Sequence, residues 1–271
     1  MSSSASPKLG LIGHPVSHSL SPKIFAALSA RLGKPLSYEA VDTPPEFLAD
    51  TLARLASQEW VGANVTIPHK ITAAKLCVSL SAEAKLCGAV NTIKFGAKGP
   101  EGNNTDAAGF LDALAELGVK MKGADALIYG SGGAARAVGL GLAKAGARAV
   151  RFCARNPASG RRAARALHER YRKTRFSVGA PRPAALVVNA TPLGMSGFPD
   201  EAPGPVTGCG LAFDLVYGRE TAFLRAAKEA GIPGTDGLSM LLFQALRAAE
   251  LWLGPLPERN ALKQALVKDL Q

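Results

Sequence analysis

Apolar and polar positions along the chain fall into two textures that change near Ala124. Before it, short apolar runs predict strands at 8–13 (KLGLIG), 36–41, 60–67 (WVGANVTI) and 88–95 (GAVNTIKF). Helical apolar spacing predicts helices at 23–32, 45–57, 107–117 and from Lys70 through ITAAKL. After it, brief apolar runs at 126–129, 149–154, 185–190 and 211–217 alternate with helical stretches at 133–145, 159–173 and 221–230. Strands that alternate with helices form a parallel, doubly wound sheet, because each crossover between parallel strands needs about a dozen residues or more. Two further helices, 238–252 and 257–270, follow. The expected fold class is α/β.

Composition adds bounds rather than chemistry. A chain of 271 residues can form one large domain or two smaller ones, and 47% hydrophobic with 20% charged residues is ordinary for a globular protein. Cys77, Cys87, Cys153 and Cys209 are scattered without a C-x-x-C pair. That pattern points away from a metal and towards free thiols in a reducing cytoplasm. The opening MSSSASPKLG has neither the basic nor the apolar region of a secretory signal. No run of about 18 apolar residues suggests a membrane span. The net charge of +11 invites a nucleic-acid reading, but it is unevenly spread. Between Arg148 and Arg182 stand eleven Lys/Arg and a single acid, Glu169. The aromatics among them, Phe152, Tyr171 and Phe176, are too few and too irregularly spaced to suggest base stacking, so the block suits a phosphorylated cofactor or a solvated helix face better than nucleic acid.

One stretch carries a phosphate-loop pattern. Gly130-Ser131-Gly132-Gly133-Ala134-Ala135-Arg136 follows the apolar run 126–129 and opens an alanine-rich helix. Read as G-x-G-x-x-A, it has Gly130 at the tight turn, Gly132 where backbone approaches a pyrophosphate, and Ala135 where helix meets strand. A helix start with glycines for close packing is the plainer alternative. In an NAD site the following strand ends in an acid, about 20 residues on, that binds the ribose 2′-hydroxyl. Here that strand ends Cys153-Ala154-Arg155-Asn156, and no acid occurs from Ala126 to His168. Arg155, with Arg161 and Arg162 behind it, suits a 2′-phosphate through bidentate guanidinium contacts. The expected cofactor is NADP.

The first half offers polar groups at helix starts. Ser21 is placed as an N-cap and Pro22 as the first helical residue. A helix N-terminus with the hydroxyls of Ser19 and Ser21 is suited to a carboxylate; capping alone explains Ser21 but not Ser19. Asn64 and Thr66, two apart on a strand, share a face. Lys70 follows Pro68 at a helix start, where the dipole disfavours its charged form, a useful property for proton transfer. A lone lysine is more often a surface charge. Asp106 fits the dipole as a first-turn acid, and can equally pair with Lys70 and bind a substrate hydroxyl.

Taken together, these stretches resemble the shikimate dehydrogenases over essentially the whole chain. The matching segments are His18-Ser19-Leu20-Ser21-Pro22, Asn64-Val65-Thr66-Ile67-Pro68-His69-Lys70, Gly88-Ala89-Val90-Asn91-Thr92 and Asn104-Thr105-Asp106. The glycine loop, Asn189-Ala190-Thr191-Pro192-Leu193-Gly194-Met195, Asp214-Leu215-Val216-Tyr217 and Asp236-Gly237-Leu238 with Gln244 complete the set. The resemblance implies an N-terminal α/β substrate domain, residues 1–106, completed by C-terminal helices in 238–271, and a Rossmann NADP domain, 107–237. It places the active site in a cleft between them. The implied reaction is reversible NADPH-dependent reduction of 3-dehydroshikimate to shikimate, towards the aromatic amino acids.

By the same resemblance Lys70 transfers the proton, with Asp106 its partner on the substrate hydroxyls. Ser19 and Ser21 hold the substrate carboxylate, and Thr66, Asn91, Tyr217 and Gln244 line the rest. The cofactor falls to Gly130, Ser131, Gly132, Gly133, Ala134, Arg155, Asn156, Arg161, Thr191, Leu215 and Gly237. No metal, nucleic acid or membrane partner is expected, and a homodimer is compatible with the sequence. Ser239 and Ala107 stand where the family has glycines, and a hydroxyl at Ser239 is expected to crowd the cofactor or alter domain closure. The neighbouring alternatives are a quinate dehydrogenase of the same fold and a non-catalytic NADP-sensing regulator.

Overall fold

A computed structural model describes residues 6–270. The chain divides into two compact units. One takes the residues up to Lys85, Ala89–Thr105 and those from Leu242 on; the other takes Leu86–Gly88 and Asp106–Leu241.

The first unit is built on strands β1 (Lys8–Gly13), β2 (Ser37–Asp42), β3 (Gly62–Val65), β4 (Ser79–Leu80), β5 (Thr92–Gly96) and β6 (Gly99–Asn103). Their order in the sheet is β2-β1-β3-β5-β6-β4. The central β1 pairs in parallel with β2 and β3, whereas β5 runs antiparallel to both β3 and β6. Helices α1 (Ser21–Leu32), α2 (Leu48–Ser57, entered through a 3₁₀ turn at Pro45–Phe47), α3 (Lys70–Leu76) and α4 (Ala82–Cys87) intervene. Helix α2 buries Leu48, Leu52 and Leu55, spaced for one helix face, in a cluster with Ile12, Trp60, Ala63 and Val65. The strand expected at 60–67 is shorter, so Thr66 lies just past its end, although its N–H still bonds Ile12 O at 2.9 Å. The β5–β6 hairpin was not legible in the sequence. Gly-Pro-Glu-Gly-Asn has no apolar alternation, and β6 is a strand because β5 supplies its hydrogen bonds.

The second unit opens with α5 (Asp106–Glu116), followed by β7 (Asp125–Tyr129), α6 (Gly133–Lys144), β8 (Ala149–Cys153), α7 (Pro157–Arg170) and β9 (Arg175–Val178). Then come β10 (Leu186–Asn189), β11 (Leu211–Asp214), α8 (Ala222–Glu229) and β12 (Gly234–Thr235). All six strands are parallel, in the order β12-β11-β10-β7-β8-β9. Counted from β7, this is 3-2-1-4-5-6, the Rossmann order, which reverses direction between β7 and β10. Strands β9 and β12 were not expected from the sequence, and residues 179–185, between β9 and β10, contain no helix. Helix α5 packs on α6 where Gly141 lies against Phe110 and the Ala107 carbonyl, and Phe110 meets Phe213 edge to face, centroids 5.3 Å apart.

Helix α9 (Leu238–Leu253) runs from one unit into the other, and α10 (Arg259–Leu270) belongs to the first. Trp252, near the end of α9, donates Nε1 to Ile93 O at 2.9 Å and occupies the space over Gly62. Among the described residues no helix is long and apolar enough to cross a membrane.

Candidate active site

In the first unit, the start of α1 differs from the expectation at one residue. Leu20, not Ser21, is the N-cap; Ser21 and Pro22 are the first helical residues. Proline's fixed φ suits the second helical position as well as the first, so the helix begins one residue early. Ser19 does the satisfying: its Oγ accepts from Ser21 N at 3.2 Å and donates to Ser21 Oγ at the same distance. The two hydroxyls are thus neighbours at a helix N-terminus, Ser21 buried and Ser19 half-buried.

The strands behind them carry a chain of buried amides and hydroxyls. Tyr38 Oη donates to Asn64 Oδ1 at 2.8 Å, and Asn64 Nδ2 reaches Thr92 Oγ1 and Asn91 O at 3.1 and 3.2 Å. Asn91 Nδ2 donates to Thr105 Oγ1 at 2.9 Å and to Gln244 Oε1 at 3.2 Å, while its Oδ1 accepts from Thr105 N at 2.7 Å. Unpaired amides in such a place cost about 1–3 kcal/mol each, so the network fixes side-chain direction. Asn91 and Gln244, expected as substrate residues, are therefore brought together. Thr92, Thr105 and Tyr38 were not singled out; the repeated Asn-Thr of Asn91-Thr92 and Asn104-Thr105 was the available signal.

Lys70 is the first residue of α3, half-buried, and its carbonyl accepts from Val90 N at 2.8 Å. Its approach is set by His69, whose Nε2 lies 2.6 Å from Thr43 O, and by the cis peptide Ile67–Pro68. Asp106, in the second unit, is the buried first residue of α5.

The glycine loop of the second unit joins β7 to α6. Gly130 has φ +113, and a Cβ there would lie 2.8 Å from Ala190 O, so only glycine fits. Gly132 is the N-cap of α6, and a Cβ there would meet no protein atom within 4 Å. Among the described residues nothing requires that position to be bare, and a bare N-cap suits close approach of a ligand to the helix N-terminus. Ser131 is half-buried, Gly133 and Ala134 form the first turn, and Ala135 is fully buried. Arg136, which the sequence left without a role, ties the loop down. Its Nε donates to Ser131 O at 3.3 Å and an Nη to Cys87 O at 3.4 Å. Burial, then the charge of Arg162, pushes its guanidinium below the ordinary arginine range.

Arg155, Arg161 and Arg162 are exposed, and among the described residues none has an ion-pair or hydrogen-bond partner. Asn156 caps α7, its Oδ1 accepting from Ala158 N at 3.0 Å and Ser159 N at 3.3 Å. An arginine fork at the end of β8 with no carboxylate on it fits a 2′-phosphate, and NADP is the cofactor these residues suit.

The loops after β10 and β11 are organised by a group outside the expected set. Asp214, fully buried at the end of β11, accepts from Asn189 Nδ2 at 2.9 Å, Val216 N at 3.0 Å and Thr221 Oγ1 at 2.5 Å. Asn189 Oδ1 in turn accepts from Thr191 N and Oγ1 at 3.0 and 2.7 Å. Leu215 N bonds Asn189 O at 3.0 Å, and Gly237 N bonds Val216 O at 2.9 Å, which positions Thr191, Leu215, Tyr217 and Gly237. Burial raises the Asp214 carboxyl to about 6, against the lowering by its three donors. A charged residue closing an apolar run, Leu-Ala-Phe-Asp, was the signal for it. Ser239 turns its hydroxyl to Glu116 Oε2, 2.5 Å away within the second unit.

Comparison with known proteins agrees across the chain. Residues 11–93 match the family model of the shikimate dehydrogenase substrate binding domain. A shikimate dehydrogenase (NADP(+)) from Methylobacterium radiotolerans is 41% identical, covering 98% of this chain and 98% of its own. One from Methanopyrus kandleri is 38% identical over 97% of this chain and 96% of its own. The crystal structure of shikimate 5-dehydrogenase from Thermus thermophilus in complex with NADP(H) and shikimate is 37% identical, with a TM-score of 0.80, covering 97% of this chain and 99% of that one. At such identity along almost the full length of both partners, this chain belongs to the shikimate dehydrogenase family.

Proposed function

We propose that this chain is an NADP-dependent shikimate dehydrogenase, interconverting 3-dehydroshikimate and shikimate on the route to the aromatic amino acids. The observation that carries it is a chain alike over 97% of its length to an enzyme solved with NADP(H) and shikimate, with an arginine rather than an acid at the end of β8.

Bound NADPH supplies the hydride for the ring carbonyl. Lys70 Nζ gives a proton to the oxygen that becomes the alkoxide, and in the reverse direction takes it back. Asp106 accepts hydrogen bonds from the substrate's ring hydroxyls and so holds the carbonyl oxygen in reach of Lys70's proton. Ser19 and Ser21, adjacent at the α1 N-terminus, donate to the substrate carboxylate. Thr66, Asn91, Tyr217 and Gln244 pair the remaining polar groups. An analogue lacking a hydroxyl leaves such groups unsatisfied, and that discriminates more strongly than shape alone. The amides of Gly130–Ala134 face the pyrophosphate, Arg155 and Arg161 the 2′-phosphate, and Asn156 offers its Nδ2 while Oδ1 caps α7. Thr191, Leu215 and Gly237 complete the cofactor's surroundings. Four free cysteines fit a cytoplasmic location.

The test is NADP⁺ reduction with shikimate and quinate compared, and NAD⁺ compared with NADP⁺. Shikimate with NADP⁺ should give the highest kcat/KM. Turnover of neither acid would overturn the proposal, and preference for quinate would reassign the substrate.

A further inference from the structure

The sheet of the second unit has two differently covered faces. On β8, Phe152 lies against Gly139 of α6, which Leu167 of α7 also approaches, and on β9 Val178 lies against Gly160 of α7. Strand alternation therefore turns Arg151 and, on β9, Arg175 and Ser177 to the opposite face. Register aligns them into rows across three strands: Leu127, Arg151 and Ser177 in one, Asp125, Ala149 and Arg175 in the next. A crossover helix between β9 and β10 would cover this face, but residues 179–185 form none, and Arg182 stands in that segment. A cavity of about 340 Å³ remains, lined by Arg151, Arg175 and Arg182.

The charge in it is one-sided. Its only carboxylate, Asp125, is already held by Arg148 through two bonds of 2.8 and 2.9 Å, and these, with Arg175 nearby, keep its pKa below the ordinary value. Among the described residues none of the three lining arginines hydrogen-bonds a carboxylate. Guanidinium forks converging on a concavity with apolar walls focus a positive potential, and their planar donors match phosphate oxygens. The strand residues that line the cavity run from the first residues of β7, β8 and β9 as far as Leu127, Arg151 and Ser177, whereas the glycine loop leaves the other end of β7.

We propose that this cavity is a second anion site, separate from the dinucleotide's, for a small phosphate-bearing molecule with two or more negative charges. It is independent of the identity of the substrate. Inorganic pyrophosphate is the probe, titrated calorimetrically into the full chain in metal-free buffer saturated with NADP⁺, so that the cofactor's phosphate contacts are already occupied. One saturable site per chain is expected. Arg151→Gln and Arg182→Gln should each weaken it about tenfold or more, as expected for a lost charged hydrogen bond, with unfolding temperature and the KM for NADP⁺ unchanged. Three results would overturn the proposal: no saturable binding with NADP⁺ present, binding by either variant as tight as by the wild type, or a loss confined to Arg155→Ala, which would place the ion at the cofactor's own site.

Discussion

Asn91 donates its side-chain amide to Gln244 Oε1 at 3.2 Å, joining positions 153 residues apart within one unit. The other amide proton goes to Thr105 and the carbonyl oxygen to Thr105 N and Thr92 Oγ1, so Asn91 is held from every side. Replacing Gln244 by Leu leaves one buried N–H without its acceptor. Urea unfolding should show a loss of about 1–3 kcal/mol with an unchanged m-value, and KM for shikimate should rise. An unaltered midpoint would mean that another acceptor takes Gln244's place.

Lys70 is the group whose removal should separate catalysis from folding. Its backbone carbonyl holds Val90 N, a bond any residue makes, so Lys70→Ala should fold. Its kcat should fall by roughly 10²–10⁴, the usual range for a general acid–base group. A raised KM with kcat intact would make Lys70 a binding group only.

Arg155 should be read by cofactor choice. Removing a guanidinium that contacts phosphate loses a charged hydrogen bond, about 1.5–3 kcal/mol. Arg155→Ala should therefore lower kcat/KM for NADPH by roughly 10–100-fold while leaving that for NADH nearly as it was. Equal losses with both cofactors would take the 2′-phosphate away from this residue.

Asp214 should leave a signature in the pH dependence of stability. Its carboxyl is raised from 3.8 to about 6 in the folded chain, so between those values the native state binds more protons than the unfolded one. The associated stability is full below about 4 and is lost as pH rises through about 6, by roughly 3 kcal/mol in total. Subtracting the profile of Asp214→Asn from that of the wild type should reveal this slope. A flat difference between pH 4 and 6.5 would show that Asp214's three donors outweigh its burial.

The local placement of the candidate site residues was legible because they sit at helix starts and strand ends, where local rules act. Lys70, Asp106 and the Gly130–Arg136 loop lie where dipole and turn chemistry of neighbouring residues put them, at two helix starts and a strand-to-helix turn. The same rules put Ser21 one position off, since Pro22 fits two adjacent helical positions. What local rules did not contain was pairing between distant segments. Strand β6 has no pattern of its own, β12 is two residues long, and both exist through partners supplied elsewhere.

By itself the sequence determined the α/β alternation, an arginine in place of an acid at Arg155 within an acid-free stretch, and the chemical types at the candidate site. Each follows from periodicity, from charge or from a contiguous motif. Tertiary structure alone decided the mixed strand order of the first unit, the Asn91–Thr105–Gln244 cluster and the role of Asp214 between two loops. It also gave Ser239 the Glu116 carboxylate as its hydrogen-bond partner. Buried hydrogen bonds must be satisfied wherever the partner lies in the chain, and which partner that is becomes fixed only when the strands are laid side by side.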